Sequence, residues 1–236
     1  MSLLEARQVS VRFGGLVALR NIDMCQNANE TLGMIGPNGS GKTTFVNVVT
    51  GHVKPASGAV DFDGVPLARC RPFEIAGAGL SRTYQAVRVF RELTGRENIA
   101  TALVNAACPL DADGVAEATE WLRLVHRLDA QAGSLTLYEQ RRLELLMRLV
   151  QRPKLLMLDE PVGGLSSVEV RSMIAVLNEL KARCTIFIIE HTMKVIRELA
   201  DRVIVLLAGE KIADGPPGDI LADRRVIENY LGSVDA

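Results

Sequence analysis

An α/β fold is predicted, with an antiparallel β subdomain near the start of the chain and an all-helical lobe inserted into the core. Strand-like segments dominate the first 64 residues, helical periodicity runs from Arg96 to Leu149, and short apolar strands follow at 155–158 and 185–189. The 236 residues suffice for a single domain, 1–236. We expect its core to comprise about 1–90 and 151–236, and its lobe about 91–150.

The predicted β subdomain begins with two apolar, β-branched segments. They run from Leu3 to Phe13 and from Val17 to Met24, and the pair Gly14-Gly15 separates them. Further strands are expected from Thr31 to Ile35 and from Ala59 to Asp63. The dipeptide Asp63-Gly64 is typical of a hairpin turn, so an antiparallel arrangement follows.

The segment between Ile35 and Phe45 fits the pattern G-x-x-x-x-G-K-[ST]. An apolar strand precedes it and an apolar helix follows, which is the context that a phosphate-binding loop requires. Its glycines let backbone N–H groups converge on phosphate oxygens, and the helix N-terminus favours the same anion. Lys42 would reach the β- and γ-phosphates, and the Thr43 hydroxyl would bind Mg²⁺. The complete predicted loop is Gly36, Pro37, Asn38, Gly39, Ser40, Gly41, Lys42, Thr43 and Thr44.

Helices are expected between Arg96 and Leu149, with a loop from Pro109 to Gly114. A single apolar stripe predicts that the second helix packs against the rest of the protein. A third helix is predicted to start with Thr136 as N-cap and Glu139 at the third helical position, forming a capping box. The stripe consists of Ala118, Trp121, Leu122, Val125 and Leu128.

Polar residues end two of the predicted core strands. Asp159 and Glu160 follow an apolar run, where the first carboxylate is placed for Mg²⁺ and the second for an attacking water. Glu190 and His191 follow the strand 185–189, at the end where parallel sheets bind ligands. An ordinary strand–turn boundary is the alternative for the first pair, and a histidine without a functional role is the alternative for His191. Gln85 has an amide able to ligate Mg²⁺, although most glutamines are surface residues.

Composition argues against several classes of function. The formal net charge is −1 and aromatic residues make up 4% of the chain, so neither a basic field nor a base-stacking surface for nucleic acid is expected. The four cysteines lack C-x-x-C spacing and are expected to be buried free thiols in a reducing compartment. Without a signal peptide or an apolar run of about 18 residues, the chain is expected to be soluble and cytoplasmic.

The order of these motifs resembles the ATP-binding subunit of ABC transporters over essentially the whole chain. The resemblance implies ATP and Mg²⁺ as cofactors, with Mg²⁺ held by Thr43, Gln85 and Asp159. It also implies that Phe13 stacks on adenine, although the local pattern favours a core position for Phe13. Glu160 would be the general base and His191 would contact the γ-phosphate. The matching motifs are Gly36–Thr43 (Walker A), Gln85 (Q-loop), Leu135–Glu139 (signature), Leu155–Glu160 (Walker B), Gly164–Ser166 (D-loop) and His191 (H-loop).

Within this superfamily the chain resembles the branched-chain, or hydrophobic, amino acid importers. Four segments carry that resemblance: 81–85, 139–144, 189–191 and the ending 226–232. It implies transmembrane permease subunits as partners, an external solute-binding protein acting indirectly, and a position on the inner face of the cell membrane. Branched-chain amino acids are the leading solute, with urea or short amides next.

Three departures from the family pattern bear on this interpretation. Among the signature residues Leu135, Thr136, Leu137, Tyr138 and Glu139, a tyrosine replaces the second glycine. Since each signature serves the partner's ATP in this superfamily, we expect a heterodimer with one strong and one degenerate site, a homodimer being the alternative. Ser166 replaces the usual Asp or Asn, and the stretch from Cys108 to Gly114 is shorter than in amino acid importers.

Two other functions remain open at this stage. One is a soluble ABC ATPase acting in DNA repair or on ribosomes, which the near-zero net charge and the lack of a second cassette disfavour. The other is a nucleotide-binding regulatory subunit that does not hydrolyse ATP. Tyr138 makes that function conceivable, whereas Glu160 and His191 argue against it.

Overall fold

The computed structural model describes residues 2–228 and contains two β-sheets. The first sheet is antiparallel with the order β2-β1-β4-β5. Its register pairs Ala6 with Met24 on one side and with Val60 on the other. Its strands are β1 (Ser2–Phe13), β2 (Leu16–Asn27), β4 (Ser57–Phe62) and β5 (Val65–Pro66).

The second sheet has the order β10-β9-β3-β8-β7-β6. The five strands from β9 to β6 run parallel, whereas β10 is antiparallel to β9. The parallel arrangement brings the carboxyl ends of β3, β7 and β8 to one edge, where ligands of such sheets bind. The strands are β3 (Thr31–Ile35), β6 (Leu80–Arg82), β7 (Leu155–Asp159), β8 (Thr185–Ile189), β9 (Arg202–Leu207) and β10 (Glu210–Gly215).

Helices connect the strands of the parallel sheet. Three of them occupy 95–149 between β6 and β7, where the sequence predicts helical structure. The helices are α1 (Lys42–Val49), α2 (Pro72–Gly77), α3 (Gly95–Val104), α4 (Ala112–Trp121), α5 (Leu137–Leu149), α6 (Ser167–Leu180), α7 (Met193–Leu199), α8 (Pro217–Ala222) and α9 (Arg224–Val226).

Two hydrophobic cores lie on opposite faces of the parallel sheet. Alternate residues of β8 divide between them, because successive strand side chains point to opposite faces. Phe187 and Ile189 join the core shared with α1 and the antiparallel sheet. Ile186 and Ile188 join the core that also contains Leu146 of α5 and residues of α3, α4, α6 and α7. The helices at 95–149 therefore share a core with the sheet, and the division into core and lobe stays a prediction.

Two local predictions for the helical region are wrong. The loop expected at 109–114 ends earlier, because the Asp111 side chain accepts a hydrogen bond from Gly114 N at 2.8 Å and caps α4, which begins at Ala112. The apolar stripe packs against the core as predicted at every position except Val125, but it does not lie on one helix that continues to residue 128. The helix ends at Trp121, Arg123 has a φ of 51°, and Val125 is 48% exposed. A left-handed residue ends the helix, which periodicity alone does not reveal.

Other expectations have mixed outcomes. The four cysteines are free, but Cys25 and Cys108 are exposed and Cys70 is half-buried, so burial was predicted correctly for Cys184 alone. The ending 226–232, which contributes to the family resemblance, lies partly outside the described residues. Within residues 2–228, no helix combines the length and apolarity that crossing a bilayer requires.

Candidate nucleotide-binding site

The loop predicted to bind phosphate connects β3 to α1, as its flanking sequence indicates. Two of its glycines lie where a side chain does not fit. Gly36 has a φ of 155°, and a Cβ there would lie 2.2 Å from Leu206 O. Gly41 has a φ of 107°, and a Cβ would lie 2.6 Å from Leu19 Cδ2. The backbone therefore curls tightly against its neighbours, which is the conformation that a phosphate-binding loop requires.

Helix α1 begins at Lys42, directly after this loop. Its N-cap is Gly41, which supplies no side-chain hydrogen bond, and its first turn contains no acidic residue. The first N–H groups of a helix lack intrahelical partners and carry a partial positive charge. The start of α1 is thus suited to a phosphate, and the Thr43 side chain is exposed beside it.

Lys42 is 9% exposed and lies under the loop. Its Nζ donates hydrogen bonds to Gly36 O at 2.7 Å and to Pro37 O at 2.9 Å. Burial lowers the pKa of Lys42, and the negative charges of Glu160 and Asp159 oppose that change. The ammonium group is therefore held between the loop and two carboxylates.

Asp159 ends β7, and its buried carboxylate faces a buried arginine of the neighbouring strand. Arg82 Nη2 lies 3.5 Å from Asp159 Oδ2, and their side chains are 7% and 9% exposed. Burial raises the pKa of Asp159, whereas the positive charges of Arg82 and Lys42 lower it. Arg82 also donates a hydrogen bond to Asn47 Oδ1 of α1 at 2.7 Å. This arginine therefore joins the ends of β6 and β7 to α1.

The Glu160 carboxylate contacts both Gln85 of the Q-loop and His191 of the H-loop. Its Oε2 accepts a hydrogen bond from Gln85 Nε2 at 2.8 Å, and its Oε1 lies 3.5 Å from His191 Nδ1. Its φ is 50°, and its backbone N donates to Ile189 O at 2.9 Å. The left-handed backbone turns the Glu160 side chain away from the strand direction of β7, to which Asp159 still belongs.

The signature residues form the capped start of α5 as predicted. Glu139 N donates to Thr136 Oγ1 at 3.3 Å, and Thr136 N donates to Glu139 Oε2 at 2.9 Å. The Tyr138 ring is half-buried and lies 4.9 Å from the Arg142 guanidinium, whereas Leu137 is 40% exposed. Within residues 2–228, no hydrogen bond or ion pair joins 135–139 to Lys42, Asp159 or Glu160.

Phe13 lies at the end of β1 and is 51% exposed. The interpretation of Phe13 as a core residue is therefore wrong. An exposed ring at the end of a strand is available for stacking on a base, and that role stays a prediction.

Two residues around the site, both arginines, escaped the sequence reasoning as site residues, whereas Glu190 was predicted at the ligand-binding end of the sheet. Arg82 and Arg141 are buried arginines, and Glu190 is a carboxylate that is 1% exposed. Glu190 accepts hydrogen bonds from Val162 N at 3.3 Å and Thr192 N at 3.4 Å, so it ties the segments after β7 and β8 together. Burial raises the pKa of Glu190. The position of Arg82 inside a short strand could have indicated a buried ion pair, since arginine is seldom buried without a partner.

The β3–loop–α1 unit and the carboxylates beyond β7 define a nucleotide-binding P-loop ATPase. The chain belongs to the ABC transporter family, whose model matches residues 19–163, and it is an ATP-hydrolysing cassette of that family. A second model, described as the branched-chain amino acid ATP-binding cassette transporter, matches residues 210–236. The recognition of an ABC cassette from its motifs is thereby confirmed.

Individual relatives support the same assignment. The chain is 34% identical to the high-affinity branched-chain amino acid transport ATP-binding protein BraF of Pseudomonas aeruginosa, and 98% of each chain is covered. It is 35% identical to the high-affinity branched-chain amino acid transport ATP-binding protein LivG of Escherichia coli, and 98% of each chain is again covered. A crystal structure of an ABC transporter cassette in its ADP conformation superposes with a TM-score of 0.88 at 29% identity, covering 98% of this chain and 99% of that one.

Proposed function

We propose that this chain is the ATP-hydrolysing subunit that powers a membrane importer for branched-chain amino acids or a related small solute such as urea or an amide. The observation that carries the proposal is the convergence of Gln85 and His191 on Glu160, beside the buried Lys42 and Asp159. The similarity to BraF and LivG over 98% of the chain supports branched-chain amino acids as the first solute to test.

Residues 36–44 bind the phosphates of ATP in this proposal. The buried Ser40 Oγ has no hydrogen-bond partner in the described part of the chain, so it is suited to a phosphate oxygen in the loop. Lys42 supplies a positive charge to the β- and γ-phosphates, and Phe13 stacks on adenine. The N–H groups at the start of α1 stabilise the same anion.

Mg²⁺ fits the donor set of Asp159, Thr43 and Gln85. Among residues 2–228, no group of three or more His, Cys, Asp or Glu side chains forms a closed metal site. An open set of a carboxylate, a hydroxyl and an amide matches Mg²⁺, which is usually held by few protein oxygens together with phosphates. When bound, the ion would neutralise phosphate charge as the terminal P–O bond breaks.

Glu160 acts as the general base that takes a proton from the attacking water. The hydrogen bond from Gln85 Nε2 fixes one carboxylate oxygen, and the other faces the imidazole of His191. His191 contacts the γ-phosphate and orients the group that is transferred. Positioning of this kind supplies most of the catalysis in phosphoryl transfer.

The proposed assembly contains a second ATPase subunit and permease subunits at the inner face of the cell membrane. ATP between two cassettes closes the dimer, and hydrolysis reopens it. A heterodimer is favoured over a homodimer, because Tyr138 and the exposed Leu137 occupy positions where small residues let a phosphate approach the start of α5. The ATP bound to the partner would therefore contact the degenerate signature of this chain. The ATP bound to this chain would contact the signature of the partner.

Steady-state ATP hydrolysis by the purified chain tests the enzymatic part of the proposal. We expect weak wild-type activity that Tyr138→Gly raises and Glu160→Gln abolishes, because loss of an oriented group at a phosphate typically costs about 10²–10³ in rate. Brisk wild-type turnover would indicate a self-sufficient homodimer. ATP binding without turnover, even with every partner present, would indicate a regulatory subunit instead.

Uptake by cells tests the solute. A strain that lacks this chain should lose uptake of labelled leucine, and the wild-type chain should restore it. The Glu160→Gln variant should not restore it at the same abundance. Retained leucine uptake together with lost urea or amide uptake would replace the amino acid by that solute.

A further inference from the structure

Arg141 lies on α5 and contacts two loops that approach the site from different strands. Its Nη2 donates to Gly163 O at 2.6 Å and to Gln85 O at 3.4 Å. The residue is 9% exposed. One nitrogen of a buried side chain therefore holds a carbonyl of the loop after β6 and a carbonyl of the loop after β7.

These two carbonyls belong to the backbone that presents Gln85 and Glu160. The first is that of Gln85 itself, and the second lies three residues beyond Glu160. Gly163 N donates to Glu160 O at 3.1 Å, so the turn that contains both residues is closed by its own hydrogen bond. Arg141 thus fixes the separation of the two backbones that the Gln85–Glu160 side-chain hydrogen bond spans.

Burial disfavours the charge of Arg141, so the contacts with the two loops are what the arginine contributes at this position. Burial lowers the pKa of Arg141, and the nearby carboxylates Glu144, Glu190 and Glu160 oppose that change. Its Nε has no hydrogen-bond partner among the described residues. A methionine of similar length would fill the space without leaving a buried donor unpaired, so the contribution of arginine is the pair of bonds to the loops.

We propose that Arg141 is a positioning residue that keeps Gln85 within hydrogen-bond distance of Glu160. It also links both loops to α5, the helix that begins with the signature residues. This inference rests on the proposed function of Glu160 and Gln85. A displacement of α5 would move both loops together, because one side chain links them to the helix. The partner's nucleotide, which meets the start of α5, would thereby influence the alignment of this chain's own site.

The test compares Arg141→Met with Arg141→Lys and with Arg148→Met in the full-length chain. Arg148 lies two turns further along α5, and its side chain contacts neither loop through a hydrogen bond in the described part of the chain. The same arginine-to-methionine change on the same helix controls for general loss of packing. Amide hydrogen exchange of 83–90 and 160–166 is measured together with kcat, the KM for ATP and thermal unfolding.

Arg141→Met should speed amide exchange in both segments and lower kcat by about 10–100-fold, the size expected for a misplacement of about 1 Å in an active site. The KM for ATP should change by less than about threefold, because the phosphate loop is not touched. Arg141→Lys should recover part of kcat, since an ammonium can donate to two carbonyls. Arg148→Met should leave exchange at 160–166 as in the wild type, because the segment near Arg148 is 83–90, whose backbone is bonded to its neighbour Glu144.

Several results would overturn the inference. They are unchanged exchange in either segment, a kcat within about twofold of the wild type, or an equal loss of kcat in Arg148→Met. A wild-type chain that never hydrolyses ATP would instead contradict the proposed function, and with it the role of Arg141. The two failures are distinguishable, because in the second case the wild type itself lacks turnover.

Discussion

Gln85 Nε2 lies 2.8 Å from Glu160 Oε2, although the two residues are separated by 75 positions in the chain. The amide follows β6 and the carboxylate follows β7, two neighbouring strands of the parallel sheet. Parallel pairing brings both carboxyl ends to one edge, and the left-handed backbone of Glu160 turns its side chain toward Gln85. The proposed general base is therefore oriented by a residue of another loop.

Removing this amide should impair turnover more than binding. We expect Gln85→Ala to lower kcat by about 10-fold or more while the KM for ATP changes little, because one oxygen of Glu160 loses its orienting donor. Steady-state hydrolysis over a range of ATP concentrations checks this. Gln8→Ala is the matched control, since Gln8 is an exposed residue of β1 bonded to Asp23. A rise in KM with an unchanged kcat would contradict the assigned role.

Lys42→Ala should abolish the stabilisation that ATP gives to the folded chain. A ligand at 100 times its Kd stabilises a protein by about 2.7 kcal/mol, and this variant lacks the buried ammonium that faces the phosphates. The measurement is the change in Tm on adding MgATP. Lys194→Ala, at an exposed lysine of α7, should keep the full shift. An equal shift in both variants would show that Lys42 does not take part in binding.

Arg82→Met should destabilise the chain strongly even without nucleotide. It leaves the buried carboxylate of Asp159 without its partner, and breaking a buried ion pair in this way costs about 3–5 kcal/mol. Urea unfolding measures the loss of free energy. The variant should also raise the pKa of Asp159 further, because the lowering influence of Arg82 is removed.

Arg96→Met provides the comparison for this prediction. Arg96 forms an ion pair with Asp129 at 3.1 Å, but the side chains are 66% and 84% exposed. Exposed pairs contribute about 0–1 kcal/mol, so this change should hardly move the urea midpoint. A similar decrease in the free energy of unfolding for Arg82→Met and Arg96→Met would mean that burial of the Arg82–Asp159 pair does not matter for stability.

Cys184 should make the stability of the folded chain fall at high pH. Burial raises the pKa of this thiol from 9.0 to about 12, so between these values the folded state keeps a proton that the unfolded state loses. Stability is therefore fully present below pH 9 and falls by up to about 1.4 kcal/mol per pH unit above it. Urea unfolding at pH 8 and pH 10.5 checks this. Cys184→Ala should lose less stability over that interval than the wild type.

Thiol labelling gives an independent measure of the same residue. At pH 8 the exposed Cys25 and Cys108 should react with iodoacetamide in the folded chain, whereas Cys184 should react only after unfolding. Rapid labelling of Cys184 in the native chain would contradict both its burial and its raised pKa.

Features with local causes were predictable from the sequence. Strands β3 and β8 begin and end where their apolar patterns indicate. The capping box of Thr136 and Glu139 also formed as predicted, because its donors and acceptors lie within four residues of each other. The end of α4 was missed, since the left-handed conformation of Arg123 overrides an apolar pattern that continues past it.

The sequence indicated which residues belong to the candidate site, but not which other side chains contact them. Motif spacing predicted Lys42, Asp159, Glu160 and His191 as site residues, and the family resemblance added Gln85. Neither revealed that Arg82 neutralises Asp159 or that Arg141 joins two loops, because those contacts depend on which strands are neighbours and on the position of α5. Burial of Phe13 was also misjudged locally, since its exposure depends on how the antiparallel sheet packs.

The sequence by itself determined the phosphate loop, the strand that ends in two carboxylates and the class of protein. Each of these depends on residues adjacent in the chain, where glycine conformations, helix caps and apolar periodicity act locally. Tertiary structure alone decided which charges face each other. Gln85 meets Glu160, Arg82 meets Asp159 and Arg141 meets two backbone carbonyls because parallel pairing and burial bring distant segments to one edge of the sheet, where unpaired charges and donors are costly.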